Sequence, residues 1–219
     1  MRKVIFITGA SRGIGKALSE KFLKEDYVVV GTSTSGKSTI KHKNFTILKL
    51  NLFSGKSIDN CVQKFRVLDK RIDILINNAG VWSGRGDSKM RVDSLRKVLE
   101  VNLIGTIELT EKLISFISNG GKIINISSRA GSLDYTKQAN YPDYRISKAA
   151  LNMYTRTLAV RLEKKNILVA SIHPGWVETD MGGKGADLKP EEAAKNIYDR
   201  IISLKETGQF WFKQEKFPW

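Results

Sequence analysis

The chain has 219 residues, 41% apolar and 27% charged, which fits one large globular domain and excludes a disordered or fibrous chain. At this length folding buries roughly 70% of the unfolded surface, so neither a disulfide nor a metal is needed to hold it together. Thirty-seven Lys and Arg against 22 Asp and Glu give a net charge of +15, which invites a nucleic acid, a membrane surface or a phosphorylated ligand without choosing among them.

The excess is uneven. Residues 1–56 hold eleven basic and three acidic residues, and no acid occurs between Asp26 and Asp59. The only cysteine, Cys61, excludes an internal disulfide, and two histidines, His42 and His173, argue against a zinc site, so no metal is expected. Met1-Arg2-Lys3 before Val4–Ile7 imitates the start of a secretory signal. Its apolar run stops after four residues, where a signal needs about seven to fifteen. No stretch approaches the ~18 apolar residues of a membrane span. The expectation is a soluble cytoplasmic protein with no membrane partner.

Strands are predicted at Val4–Ile7, Tyr27–Val30, Phe45–Leu50, Ile72–Ile76, Lys122–Ile126, Ile167–Ile172 and Gln209–Phe212. Most are continuous apolar runs, as in strands covered on both faces. Helical patterns lie between them at 13–25, 56–70, 91–118, 142–164 and 190–204. This alternation predicts a single doubly wound α/β domain over 1–219, of the Rossmann type, with about seven parallel strands and helices on both faces. No internal repeat or linker interrupts it.

Three glycine motifs compete for a phosphate. Thr8-Gly9-Ala10-Ser11-Arg12-Gly13-Ile14-Gly15 joins the first strand to the first helix. Free amides and the dipole of a helix N-terminus would face an anion there. Gly9 would make the turn, Gly13 admit a pyrophosphate and Gly15 let helix pack on strand. Gly9–Gly13 also spells G-x-S-x-G, a nucleophile elbow around Ser11. That elbow normally follows upstream strands, and none precedes this one. Gly31–Ser38 spells G-x-x-x-x-G-K-S, a P-loop. Only Thr39–Asn44 separates it from the next strand, too little for the required helix.

A site for NAD places an Asp or Glu about 20 residues beyond the glycines, against the ribose 2′-hydroxyl. Here that place reads Gly31-Thr32-Ser33-Thr34, while Arg12 and Lys37 are cations nearby. The expected cofactor is therefore NADP(H), with Ser33 and Thr34 near the 2′-phosphate.

Tyr144 and Lys148 stand four apart on a helix that Pro142 would open, so they share one face. A tyrosine with a pKa of about 10 needs roughly three units of help to exchange protons near neutrality. A neighbouring ammonium is the right kind of help.

Together with Thr8–Gly15, the segments Asn77–Gly80, Asn125–Gly131, Tyr144–Lys148 and Pro174–Met181 make the chain strongly resemble the short-chain dehydrogenase/reductase family across residues 2–181. Its last residues, Gly208–Trp219, are most similar to the carbonyl-reductase and C-factor-like branch. The resemblance implies an NADP-dependent reductase of an aldehyde or ketone, or a protein of that fold that binds dinucleotide for signalling. It implies Tyr144 as proton donor, Lys148 as its charged partner and ribose ligand, and Ser128 on the substrate oxygen. Asn102 shares a helical face with Leu95, Val98 and Leu99; the family gives it a water-mediated relay to Lys148, and the alternative is a structural Asn at a helix kink. Asn78, Ala79 and Gly80 would floor the cofactor site, Asn51 and Leu52 border adenine, and Pro174, Gly175, Val177 and Thr179 meet the carboxamide end.

Two departures stand out. Ser128 precedes Tyr144 by sixteen residues where the family commonly shows about thirteen, so Ser132 is a rival. The segment between the second and third strands is too short for the usual helix. His173 is expected to be structural. Trp82, Trp176, Tyr141, Leu133 and Met181 fall on loops at the sheet's carboxyl edge, suggesting a small apolar or aromatic carbonyl substrate, although packing would also explain them. Helices 91–118 and 142–164 are the faces this family pairs in oligomers. With no basic stripe or recognised motif, nucleic acid is not expected as a partner.

Overall fold

A computed structural model describes residues 2–84 and 86–219. Met1 and Arg85, both within the domain expected over 1–219, lie outside the described residues. Eight strands form one sheet: β1 (Val4–Ile7), β2 (Val28–Ser33), β3 (Phe45–Lys49), β4 (Ile72–Asn77), β5 (Ile117–Ile126), β6 (Leu168–His173), β7 (Gln209–Phe212) and β8 (Glu215–Lys216). Their spatial order is β3-β2-β1-β4-β5-β6-β7-β8. All pairings are parallel except β7 with β8. The seven expected strands are present. The eighth, a two-residue return, was hidden in a stretch with no apolar alternation.

Six α-helices cover the sheet: α1 (Gly13–Lys24), α2 (Gly55–Val67), α3 (Val92–Leu99), α4 (Gly105–Leu113), α5 (Pro142–Leu162) and α6 (Pro190–Ser203). Successive residues of a strand face opposite ways. Phe6, Leu75 and Ile123 therefore pack on Phe65, Leu109 and Leu158 of α2, α4 and α5. Ile5, Ile76 and Ile124 pack on Leu18, Phe22 and Ile197 of α1 and α6. Each such side chain contributes roughly 1.5–3 kcal/mol by leaving water. Cys61 lies in the first core, where burial pushes its thiol up to about 11 and leaves it inert.

The helix expected over 91–118 is not continuous. A wide turn at Glu100–Ile104, in which the Gly105 N–H reaches back to the Glu100 carbonyl, separates α3 from α4. A short tight turn at Ile114–Phe116 ends α4, and β5 starts at Ile117 rather than Lys122. The apolar spacing of Ile114, Phe116 and Ile117 suits either state. Pairing of Ile117 with Ile72, followed by a bulge before Lys122 meets Ile74, decides for strand. β2 runs on through Gly31-Thr32-Ser33, and no helix follows Ser38, so the P-loop pattern has no P-loop structure.

Candidate active site

The strand order reverses between β1 and β4, so the loops leaving these strands diverge and open a crevice at their carboxyl ends. Thr8 ties its two sides together, a role the sequence did not flag. Its Oγ1 accepts from the N–H groups of Asn78 and Ala79, each at 2.9 Å. The Asn78 side-chain amide returns to the Thr8 carbonyl at 2.9 Å.

The turn between β1 and α1 has the shape an anion needs. Gly9 and Gly13 have φ of 70° and 53°, a region L-residues rarely occupy. A Cβ on Gly15 would lie 2.1 Å from the Gly9 carbonyl oxygen, so only glycine lets α1 start this close to the strand. Arg12 sits at the N-cap with extended backbone, no side chain caps α1, and no acid occupies its first turn. The amides around Gly13, Ile14 and Gly15 thus have no side-chain acceptor, which fits a diphosphate. Ser11 and Ile14 lie half-buried beside the turn. Arg12 points outward and pairs with Asp180 at 2.8 Å.

On the far side of β1, Ser33 is buried, and its hydroxyl is within hydrogen-bond distance of the Lys37 N–H (3.1 Å) and carbonyl (2.9 Å). It closes the turn that presents exposed Thr34 and Lys37. Asn51 is exposed, and its Oδ1 accepts from the Phe53 N–H. Leu52 is buried, and its carbonyl oxygen lies 2.0 Å from where a Cβ on Gly105 would stand. No carboxylate lies between Asp26 and Asp59 to bond a ribose 2′-hydroxyl, so these residues suit a 2′-phosphate better than a bare ribose.

Across the crevice, Pro142 opens α5 and Tyr141 before it takes a left-handed conformation, φ 41°. Asp143 is buried, accepting from the Tyr144 N–H at 2.8 Å and from the Ser94 hydroxyl at 2.5 Å. This fixes the first turn that carries Tyr144. Ser128, two residues beyond the end of β5, faces the Tyr144 hydroxyl and favours its ionised form. Ser128 also accepts from the Ala130 N–H at 3.1 Å. Ser132, its rival, donates to the Trp219 main-chain oxygen at 3.1 Å and accepts from the Tyr135 N–H at 3.0 Å. Lys148 is buried, donates to the Ile126 carbonyl at 2.8 Å, and lies 5.6 Å from the centre of the Tyr144 ring.

Asn102 lies in the wide turn between α3 and α4. Its amide pairs with both main-chain groups of Val81, accepting at 2.7 Å and donating at 2.8 Å, and also donates to Ser147 at 3.1 Å. Ser147, which the sequence did not single out, in turn donates to the Tyr144 carbonyl. Asn102 therefore anchors the loop after Gly80 to the helix of Tyr144 and Lys148. Wide turns of this kind recur where backbone groups serve a site. A Cβ on Gly80 would lie 3.2 Å from the Asn102 Oδ1 and 3.7 Å from the Lys148 Nζ. Glycine keeps the space between this loop and the lysine open.

The electrostatics depart from expectation. Burial pushes the Tyr144 phenol up to about 12, with Ser128 opposing, and Lys148 does not depress it. The reason is geometric: the ammonium is turned to the Ile126 carbonyl. Burial also lowers Lys148 to about 8. In the free protein Tyr144 is a neutral acid, and Lys148 is charged at neutral pH.

Beyond β6, Gly175 has φ 93°, and a Cβ there would meet Leu188 at 2.5 Å. Val177 bridges to Leu188, and Gly182 packs on the Val177 carbonyl. Pro174 to Thr179 thus fold back over the mouth, where a Cβ on Gly13 would meet Thr179 at 3.1 Å. His173 stacks on Phe212 at 4.9 Å, accepts from the Gly175 N–H through Nδ1, and is lowered to about 3 by burial, helped by Arg129. It is buried, neutral and aromatic-packed. Trp82 packs edge-on against Tyr141 at 6.0 Å, while Leu133, Trp176 and Met181 are exposed.

The family described as short chain dehydrogenase matches residues 3–189. The chain belongs to this family of oxidoreductases. Over 190 residues it is 35% identical to the 3-oxoacyl-[acyl-carrier-protein] reductase FabG of Aquifex aeolicus, covering 82% of this chain and 75% of the relative. It is 31% identical to the C-signal protein of Myxococcus xanthus over 156 residues, 68% of this chain and 93% of the relative. The fold is similar to that of an NADPH-bound carbonyl reductase from chicken fatty liver, with a TM-score of 0.92 at 27% identity, covering 100% of this chain and 94% of that one. Among the described residues no group of His, Cys, Asp and Glu could hold a metal, and no helix is long and apolar enough to cross a membrane.

Proposed function

We propose that the protein is an NADPH-dependent reductase of aldehydes or ketones. The observation that carries this is the convergence of Ser128 on a Tyr144 hydroxyl that burial keeps protonated, with Lys148 buried on the same helix face. The similarity to FabG and to an NADPH-bound carbonyl reductase supports it. NADPH, held by the Gly9–Gly15 turn, Asn78–Gly80, and Pro174, Gly175, Val177 and Thr179, would supply the hydride. Ser128 then donates to the carbonyl oxygen as charge develops on it. Tyr144 would give that oxygen its proton, and the Lys148 ammonium, one turn along α5, would hold the nicotinamide ribose. Asn102 holds Val81 and the Tyr144 turn in register.

Trp82 and Tyr141 make an aromatic wall near Tyr144, and Leu133, Trp176 and Met181 add exposed apolar surface, in keeping with a small apolar or aromatic substrate. A free buried Cys61 suits a reducing compartment such as the cytoplasm. Ile146, Met153 and Val160, seven residues apart on α5, leave an exposed apolar stripe, and Ile104 is exposed beside α4. The proposed homo-oligomer uses these faces, and light scattering on Met153→Glu against the parent chain tests it.

NADPH oxidation against a panel of aldehydes, ketones, quinones and 3-oxoacyl thioesters tests the function. Turnover abolished by Tyr144→Phe is the expected result. Cofactor binding without turnover of any member would favour the signalling role that the name C-signal suggests.

A further inference from the structure

The ion pair of Arg12 with Asp180 joins the two lips of the dinucleotide groove. Arg12 stands at the start of α1. Asp180 follows Thr179, whose Cγ2 lies 3.1 Å from where a Cβ on Gly13 would stand, so this segment crosses the first turn of α1. The segment is stiffened. Gly182 and Gly183 donate to the Thr179 hydroxyl and carbonyl at 3.1 and 2.9 Å, and the Glu178 N–H bonds the Leu188 carbonyl at 2.9 Å. Asp180 is thus carried on a built turn, while Arg12 has a long side chain free to swing. Both side chains are open to solvent, at 80% and 75% exposure, so their pair exchanges readily with another anion.

Arg12 is also the cation within the Gly9–Gly15 turn, and no carboxylate follows between Asp26 and Asp59 for a ribose 2′-hydroxyl. Resting on the NADPH reading above, we infer that Asp180 tunes the affinity for the 2′-phosphorylated dinucleotide by competing with the 2′-phosphate for Arg12. A guanidinium binds carboxylate and phosphate with the same planar fork, so one replaces the other without rebuilding the site. The phosphate, with the larger charge, wins when the cofactor is bound. When the cofactor departs, Asp180 recaptures Arg12, which weakens binding and hastens release. A dinucleotide without the 2′-phosphate leaves the pair untouched.

Calorimetric titration of NADPH and NADH into the parent chain, Asp180→Asn, Arg12→Ala and the double variant tests this. Both positions are exposed, and circular dichroism confirms that each variant is folded. Asp180→Asn is expected to tighten NADPH by about two- to fivefold while changing NADH less, and the NADPH-specific gain vanishes in the Arg12→Ala background. An equal gain for both cofactors, a gain that survives Arg12→Ala, or no gain overturns the role of Asp180. The cofactor reading fails separately, if the parent chain does not prefer NADPH or if Arg12→Ala leaves that preference intact.

Discussion

The two halves of the crevice are built differently. On the β4–β5–β6 side, polar side chains are buried and bonded to one another: Thr110 to Asn77, Asn77 to Asn125, Asn125 to Thr155, and Thr155 to Ser171. Tyr144, Lys148 and Asn102 grow out of this half. On the β2–β3 side the sheet ends in an open edge, and the polar groups are exposed lysines and a turn closed by Ser33. Buried groups bonded to one another cannot re-orient cheaply, which suits a reaction that needs fixed geometry. Exposed charges exchange partners readily, which suits recognition of a phosphate that must also be released. The contrast is in keeping with chemistry placed on one side and selection of the 2′-phosphate on the other.

Breaking the rigid half should have the largest effect. Lys148→Ala removes the buried ammonium one helical turn from Tyr144, and kcat/KM should fall by about 10²- to 10⁴-fold in steady-state assays. In the parent chain, reduction should be flat below neutrality and decline as pH rises through about 8, where Lys148 loses its charge. A pH profile without that limb would show that the ammonium is not needed.

His173 gives an effect on stability. The folded chain holds it neutral down to about 3, while the unfolded chain binds its proton below about 6.5. Between those values the unfolded state carries more protons, so stability falls as pH falls, by up to ~1.4 kcal/mol per pH unit. Urea melts should show this slope, and His173→Phe, which preserves the stack on Phe212, should flatten it. Asn125→Ala follows in size. It strips partners from Asn77 and Thr155 inside the core and should cost about 1–3 kcal/mol in the same melts.

The smallest effect belongs to the open half. Ser33→Asp puts a carboxylate where the sequence has none, and should shift the NADPH-to-NADH preference by at least about fivefold toward NADH. An unchanged ratio would show that Ser33 does not face the ribose.

The sequence made this division only partly legible. Continuous apolar runs marked seven strands because burial on both faces leaves no polar alternation. The Gly9–Gly15 turn and the Tyr144–Lys148 spacing could be read because their geometry is local. The break at Glu100–Ile104, the early start of β5 and the return strand β8 depend on partners far along the chain, and local pattern cannot supply those. The same holds for Thr8, Ser147 and Asp180, whose roles come from contacts with Asn78, Asn102 and Arg12. Choosing between Ser128 and Ser132 by spacing was equally beyond reach. The hydroxyl of Ser132 is taken by Trp219, eighty-seven residues away.

The surplus of +15 reads differently once the fold is known. Its acid-free stretch, 27–58, forms β2, β3 and the turns beside the cofactor groove, so the missing acids matter more than the total. The central claim is that chemistry and cofactor grip are separable, and one rapid-mixing measurement tests it. NADPH-loaded parent and Tyr144→Phe proteins are mixed with a reactive aldehyde, with NADPH affinity measured alongside. The account predicts that the single-turnover rate falls by about 10²-fold or more in the variant while the affinity stays unchanged. An undiminished rate, or a loss explained by weaker NADPH binding, would contradict it.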